Sequence, residues 1–297
     1  MYKTFAFDDN ANEYDNWFDN NQEIYQSEIL VLRQSVPIDK IGLEVGVGTG
    51  RFAVPLGVRI GIEPSEAMSS IARQRGVKVK KGFAENLPFK DKSFDYLLFV
   101  TTICFLSDIL QSFKEAYRVL NEKGEIIIGL INKNSYLGEK YEKIKNTNKF
   151  YKNAKFYLVE EVVNFLKLSN FHNFSFYQTL INPGNKEVET PQKGYDKGSF
   201  VIIKAIKKLR APHPKKLSQD EIKRNLTMIV IDKDANWALH VVKDYGLAGE
   251  KDEVTSDEAL VKCREGLRKI KEAERAHCNQ CTPCNNCKPH LGKSSLS

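Results

Sequence analysis

The chain has 297 residues, 41% of them hydrophobic and 28% charged, with a formal net charge of +7. Such usage is ordinary for a folded globular protein of one large domain or two smaller ones, and it excludes a disordered or collagen-like chain. The apolar segment Tyr96–Leu106 is too short to cross a bilayer, which takes about 20 residues, and the acidic start MYKTFAFDDNANEYDNWF lacks the parts of a signal peptide, so no membrane span and a cytoplasmic location are expected.

In chain order, Ile41–Val45 reads as a strand, Arg51–Leu56 as the start of a short helix and Val58–Ile62 as a second strand. Ser65–Arg75 is helical in pattern with Ser65 as N-cap, and Val77–Lys81 is a third, weaker strand. Phe94–Val100 (FDYLLFV) is apolar almost throughout, as a strand buried on both faces should be. Ser107 is placed to cap a helix running to about Leu120, Gly124 stops that region, and Glu125–Ile131 is another buried strand. Strands alternating with helices predict an α/β fold, a Rossmann-like and mostly parallel sheet with right-handed crossovers.

Beyond this, Tyr136–Lys145 and Leu158–Leu168 read as helices. Phe174–Leu180 and Ser199–Ile206 read as an antiparallel edge pair that brings the sheet to seven strands. Ala211-Pro-His-Pro-Lys-Lys216 reads as a linker. It divides a domain of residues 1–210 from a small α+β appendage of residues 211–297. In the appendage, Leu226–Ile231 and Trp237–Val242 suggest a hairpin. Thr255-x-x-Glu258 opens a helix with Leu260, Cys263, Leu267 and Ile270 on one face, so Cys263 is expected to be a core thiol. The basic run Lys204, Lys207, Lys208, Arg210, Lys215 and Lys216 reads as a solvated strand end and linker.

The turn Leu43-Glu-Val-Gly-Val-Gly-Thr-Gly-Arg51 follows a strand, and its three glycines let the backbone approach a ligand closely. A dinucleotide fingerprint would need a glycine where Arg51 stands, and a phosphate loop would need Gly-Lys-Ser/Thr, so both are disfavoured. Glu44 precedes the glycines, Glu63 ends the second strand, and Glu85 follows the third. Acids at successive strand ends would share one crevice at the carboxyl edge of the sheet. There Glu63 could accept hydrogen bonds from both hydroxyls of a ribose. A Glu85 carboxylate or a nearby backbone amide could meet an adenine edge.

The segments LEVGVGTGRF, GIEPSEAM, GFAENLPFKDKSFDYLLFVTTICF and FKEAYRVLNEKGEIIIG carry a resemblance. Over roughly residues 8–208 the chain resembles class I S-adenosylmethionine (SAM)-dependent methyltransferases, in particular the small-molecule group similar to ubiquinone/menaquinone-biosynthesis methyltransferases. The resemblance implies SAM as cofactor, with Gly46, Gly48 and Gly50 under its methionine part and Glu44 helping to fix its amino group. It also implies Glu63 on the ribose, Ala84 and Glu85 facing the adenine, and Thr101 and Thr102 beside the sulfonium. The region Asn12–Tyr25, with Tyr14, Trp17 and Phe18, looks like a covering N-terminal helix. A lone His172 in the irregular region is a candidate base, but no catalytic base is assigned.

Cys278, Cys281, Cys284 and Cys287 form three successive C-x-x-C steps flanked by His277 and His290. Thiolates so close would repel one another without a cation, so a metal is expected, either an iron–sulfur cluster or tetrahedral zinc. Three functions remain open at this stage: a small-molecule methyltransferase, an RNA or protein methyltransferase that docks through the appendage, and a cofactor-binding module without turnover. Residues 211–297 have balanced charge and no interleaved basic and aromatic residues, which disfavours a nucleic-acid partner.

Overall fold

The computed structural model describes residues 5–208, 259, 261–269 and 272. The chain divides into two compact units, Met1–Leu209 and Arg210–Ser297.

The first unit opens with helices α1 (Phe5–Asp9), α2 (Ala11–Asn20) and α3 (Gln22–Arg33). The break between α2 and α3 is a side-chain effect. The amides of Asn21 and Gln22 donate to the carbonyls of Trp17 and Phe18 at 2.8 and 3.1 Å and so close the end of α2. Then follow β1 (Gly42–Val45), β2 (Ile60–Glu63), α4 (Glu66–Gln74), β3 (Lys78–Lys81), β4 (Phe94–Val100), α5 (Ile109–Val119) and β5 (Leu120–Ile131). Helices α6 (Tyr136–Ile144) and α7 (Val159–Leu168) precede β6 (Phe171–Thr179), β7 (Gln192–Lys193) and β8 (Phe200–Lys207).

One sheet contains all eight strands in the order β3-β2-β1-β4-β5-β8-β6-β7. Strands β1 to β5 pair in parallel, while β8 is antiparallel to both β5 and β6. The seven anticipated strands are present, and the two-residue β7 is added on the edge of β6. Side-chain alternation makes two cores. Leu97, Phe99, Ile126, Ile128, Val201 and Ile203 face one side, where Phe113, Val162 and Leu166 of α5 and α7 cover them. Tyr96, Leu98, Val100, Ile127, Phe200 and Ile202 face the other, under Ile29, Leu32 and Leu137 of α3 and α6. Strand order reverses between β1 and β4, and this switch point places a crevice at the carboxyl ends of the central strands.

Several local expectations are corrected. Residues 51–57 form turns rather than a helix, because left-handed Gly50 and Gly57 (φ 82° and 73°) bracket a span of six residues that contains Pro55. The cap of α5 is Asp108, whose Oδ1 accepts from Gln111 N at 2.9 Å, and Ser107 lies one residue outside. Gly124 does not end a region. It sits inside β5, where a Cβ would press on the carbonyls of Asn121 and Asp95. The basic run is not simply solvated. Lys204 pairs with Glu125 at 3.0 Å, and buried Lys207 donates to Leu120 O at 2.6 Å beneath the Tyr117 ring.

In the second unit, residues 261–269 are helical, with Cys263 and Leu267 buried and Val261 exposed. Burial pushes the Cys263 thiol up to about 11, as suits a core thiol. Leu260, Ile270, the linker, the hairpin and Cys278, Cys281, Cys284 and Cys287 lie outside the described residues.

Gly138 offers a test of how α6 enters the fold. A Cβ there would lie 2.2 Å from Asn132 O and 2.5 Å from Lys133 O, both rigid backbone atoms. Gly138→Ala is expected to lower stability by about 1–3 kcal/mol through overpacking. Gly184→Ala, with nothing within 4 Å, should leave the urea-unfolding midpoint almost unchanged.

Candidate active site

The loop after β1 is left-handed at Gly46, Gly48 and Gly50, with φ of 71°, 54° and 82°. A Cβ at Gly46 would strike Thr102 Cγ2 at 2.5 Å, so only glycine allows that close approach. The loop is not a phosphate cradle, because its amides are already used. Gly46 N and Val47 N donate to Ile62 O at 2.9 and 3.0 Å, Gly50 N donates to Val47 O at 2.9 Å, and Gly48 N donates to Glu63 Oε2 at 3.0 Å.

Glu63 sits at the end of β2 and joins two loops. Its Oε2 takes the Gly48 amide, and its Oε1 takes the Ser65 amide at 3.0 Å. Each carboxylate oxygen keeps a second acceptor direction. Burial pushes Glu63 up to about 7, with the two backbone hydrogen bonds pulling the other way.

A cleft of about 800 Å³, counted out to its mouth, opens here. Of the residues singled out in the sequence, Tyr14, Gly46, Gly48, Glu63, Ala84, Glu85, Thr101 and Thr102 line it. Glu44 and Gly50 are not in its wall. Glu44 is 1% exposed and its Oε2 has no hydrogen-bond partner, so burial, and then the nearby Glu63 charge, raise it well above the usual carboxylate range. Gly50 instead lets the loop pack on Ala72 and Val77, where a Cβ would touch at 3.4 Å. The Glu85 carboxylate is turned to the start of α5, with Oε1 accepting from Ser107 N at 2.8 Å and Asp108 N at 3.2 Å. His172 is not in the cleft wall, and its Nδ1 is bonded to Ile206 O at 2.9 Å. Phe7, Met68 and Phe105 line the cleft with no role assigned to them from the sequence. Met68 and Phe105 are the last residues of GIEPSEAM and GFAENLPFKDKSFDYLLFVTTICF but carry no polar group to single them out, and Phe7 lies in the short helix α1.

Arg51, in the place where a third fingerprint glycine would stand, fastens the N-terminal helices over the cleft. Its Nε and Nη2 donate to Asp15 at 2.9 and 2.8 Å, and its Nη1 and Nη2 reach Asp19 at 2.8 and 2.6 Å. Arg75 adds two bonds of 2.6 Å to Asp15 and one of 2.8 Å to Thr49 O. Burial works against the Asp15 charge, but hydrogen bonds from Arg75 and Arg51 outweigh it and hold the carboxyl well below its ordinary range. Tyr14, the neighbour of Asp15 on α2, is thereby set into the cleft wall, which Thr101 also lines.

The methyltransferase domain family matches residues 43–128. The crystal structure of a SAM-dependent methyltransferase, possible histamine N-methyltransferase, from Thermotoga maritima is 47% identical, with a TM-score of 0.67 over 69% of this chain and 100% of that one. The chain belongs to the SAM-dependent methyltransferases. An uncharacterized protein of Methanocaldococcus jannaschii is 45% identical over 204 residues, 68% of this chain and 98% of its own length. A demethylmenaquinone methyltransferase of Chlorobaculum tepidum is 32% identical over 108 residues, 33% of this chain and 45% of its own. Membership in this enzyme family sets aside a binding module without turnover.

SAM fits the residues present. The free lone pairs of Glu63 suit a vicinal diol, and the orphaned Glu44 Oε2 suits a cationic amino group close by. At Gly48 a Cβ would project toward Met68 and Tyr14, into space that a ligand would otherwise take. Among the described residues no group of three or more His, Cys, Asp or Glu side chains is arranged to hold a metal. No helix among them is long and apolar enough to cross a membrane.

The raised Glu63 has a measurable consequence. A carboxyl that titrates near 4.5 when unfolded and at about 7 when folded favours the fold most while protonated. Its contribution is complete below about 4.5 and is lost as pH rises through about 7. In the ligand-free protein Glu63→Gln should therefore flatten part of the decline in unfolding midpoint across that window. An unchanged slope would show that Glu63 does not carry it.

Proposed function

We propose that the protein transfers the methyl group of SAM to a small-molecule acceptor, with residues 1–210 as the catalytic domain and residues 211–297 as an appendage. The observation that carries this reading is a second, narrow chamber lined by Thr101, Ile103, Cys104, Leu130, Tyr151 and Phe156 among others. Thr101 belongs to the walls of both the cleft and the chamber, so an acceptor in the chamber would lie next to the cofactor. As it stands the chamber, about 20 Å³, has room for about one water, so an acceptor would widen it; it is walled by the segment after β4, by β5 and by the segment after α6.

In this reading Glu63 takes the ribose hydroxyls, and Gly46 and Gly48 let the chain pass close under the methionine part. Glu44 receives the amino group from behind the loop while Gly50 keeps the loop packed, and Ala84 and Glu85 border the adenine. Thr101 and Thr102 stand at the junction with the acceptor chamber. Bound SAM supplies a methyl group already activated on a sulfonium. The protein's work is to orient the acceptor and exclude water, and positioning of this kind is worth about 7–11 kcal/mol. Tyr14 and Phe7, held over the cleft by the N-terminal helices, serve the exclusion of water.

Incubation of the full chain with methyl-labelled SAM and an extract of the source cells should place label in the small-molecule fraction by mass spectrometry. Label confined to RNA or protein would overturn the reading. Glu63→Ala should weaken both SAM and its demethylated product in calorimetry by about tenfold or more, since each hydrogen bond to a charged group is worth about 1.5–3 kcal/mol. Binding of NAD in preference to SAM by the unaltered protein would refute SAM as the cofactor.

The metal at Cys278, Cys281, Cys284 and Cys287 is proposed on the spacing of these thiols. Anaerobically purified protein should contain iron with inorganic sulfide, or zinc, by elemental analysis. A preparation with neither would remove the site.

A further inference from the structure

Gly82, Phe83, Ala84 and Glu85 line the cleft from the loop that links β3 to β4, and Phe105 and Leu106 line it from the segment that leads into α5. The loop is irregular, and what holds it is the polar face of α5. Asp108, Gln111, Glu115 and Arg118 recur at steps of three and four residues, which puts them on one side of that helix and its cap. Gln111 Nε2 donates to Glu85 O at 3.3 Å, and Glu115 Oε2 accepts from Leu87 N at 2.8 Å. Arg118 donates to Leu87 O at 2.9 Å and to Phe89 O at 2.8 Å, and its ion pairs with Glu115 and Asp91 hold the guanidinium in place.

Glu85 completes this strip from the loop side. Its Oε1 accepts from both Ser107 N and Asp108 N, so the two amides take both acceptor directions of that oxygen. A negative charge at the start of a helix is further favoured by the helix dipole. The amides of Ala84 and Glu85, by contrast, donate to no described residue, although Ala84 is only 6% exposed. A buried amide without a partner is rare in a folded chain. The loop thus turns its acid to α5 and leaves backbone donors at the cleft.

We infer that Glu85 is a positioning residue, which anchors the loop on the start of α5 so that its backbone meets the cofactor's base, and that its carboxylate does not read the adenine amino group. The inference rests on the reading that places adenine against Ala84 and Glu85, and deepens it. A carboxylate aimed at the base would make the amino group a large part of the affinity. An anchor instead makes the affinity depend on where the loop stands, whichever group the base carries at that position. The anchor also has a longer reach. Helix α5 closely follows Thr101 and Leu106, so one helix holds both the base's wall and the junction with the second chamber.

Calorimetry on the full chain tests this with S-adenosylhomocysteine and with its analogue that carries purine in place of adenine and so lacks only the amino group. Glu85→Ala should weaken both ligands by at least about tenfold, equivalent to about 1.4 kcal/mol. The ratio of the two affinities should stay within about twofold of its value in the unaltered protein, as for groups that do not touch. Glu85→Gln keeps an acceptor oxygen for the two amides and should restore most of the affinity for both ligands. A ratio that collapses in Glu85→Ala shows direct contact with the amino group and overturns the inference. Unchanged affinity in Glu85→Ala overturns it as well, and so does a Glu85→Gln protein that binds no better than Glu85→Ala. If Glu85→Ala does not fold, Gln111→Leu takes its place. It removes only the bond to Glu85 O, and a smaller, equal loss for both ligands is expected, with full retention contrary. The outcomes separate this inference from the reading beneath it. A collapsed ratio leaves adenine at this wall and sinks only the anchor. If neither removal of the amino group nor Glu85→Ala changes the affinity while Glu63→Ala lowers it, the adenine assignment itself falls.

Discussion

The carboxylate of Glu63 is the constraint on which the rest of the site depends. Parallel pairing aligns Val45 of β1 with Ile62 of β2, so Glu63 falls one step beyond the register, beside the loop that leaves β1. One oxygen then holds the Gly48 amide and the other holds the amide that opens the turn into α4. Two loops from different strands are fixed by one side chain, and the cleft forms between them. The same burial that makes the carboxylate rigid also raises its proton affinity. A ligand that donates further hydrogen bonds relieves that tension, since donors favour the charged form.

A second electrostatic assembly sets the roof. Asp15 receives four side-chain bonds from Arg51 and Arg75, which project from the far end of the glycine-rich turn and from the end of α4. Bidentate contacts of this kind fix orientation as well as distance. The consequence is felt one residue away, where Tyr14 is presented to the cleft. The departure from a dinucleotide fingerprint at Arg51 is thus a gain of function for the loop. A glycine there could not tie the N-terminal helices down.

Thr101 links roof, cleft and chamber. It follows the last residue of β4 with φ of 48°, an unusual conformation for a β-branched residue, and its amide is held by Gly129 O at 2.8 Å. Backbone held in such a region by its surroundings is found at functional sites. Here it turns the chain sharply where the two cavities touch, and the Cys104 thiol closes the turn with a 3.3 Å contact to Thr101 O.

By itself the sequence determined the order of strands and helices, the glycine turn and the acid at the end of β2. These are local patterns: FDYLLFV and EIIIGLI are continuous apolar runs because parallel strands are buried on both faces. Tertiary structure decided what local pattern cannot contain. Ser107 and Asp108 are equally good caps in sequence, and only the approach of Glu85 to the Ser107 and Asp108 amides distinguishes their places. Lys207 reads as one of a basic run, yet the Leu120 carbonyl and the Tyr117 ring take it inside. Glu44 and Gly50 share a motif with Gly46 and Gly48 but are not in the cleft wall, because Glu44 is buried at the end of β1 and Gly50 packs on Ala72 and Val77, contacts that only the folded chain makes.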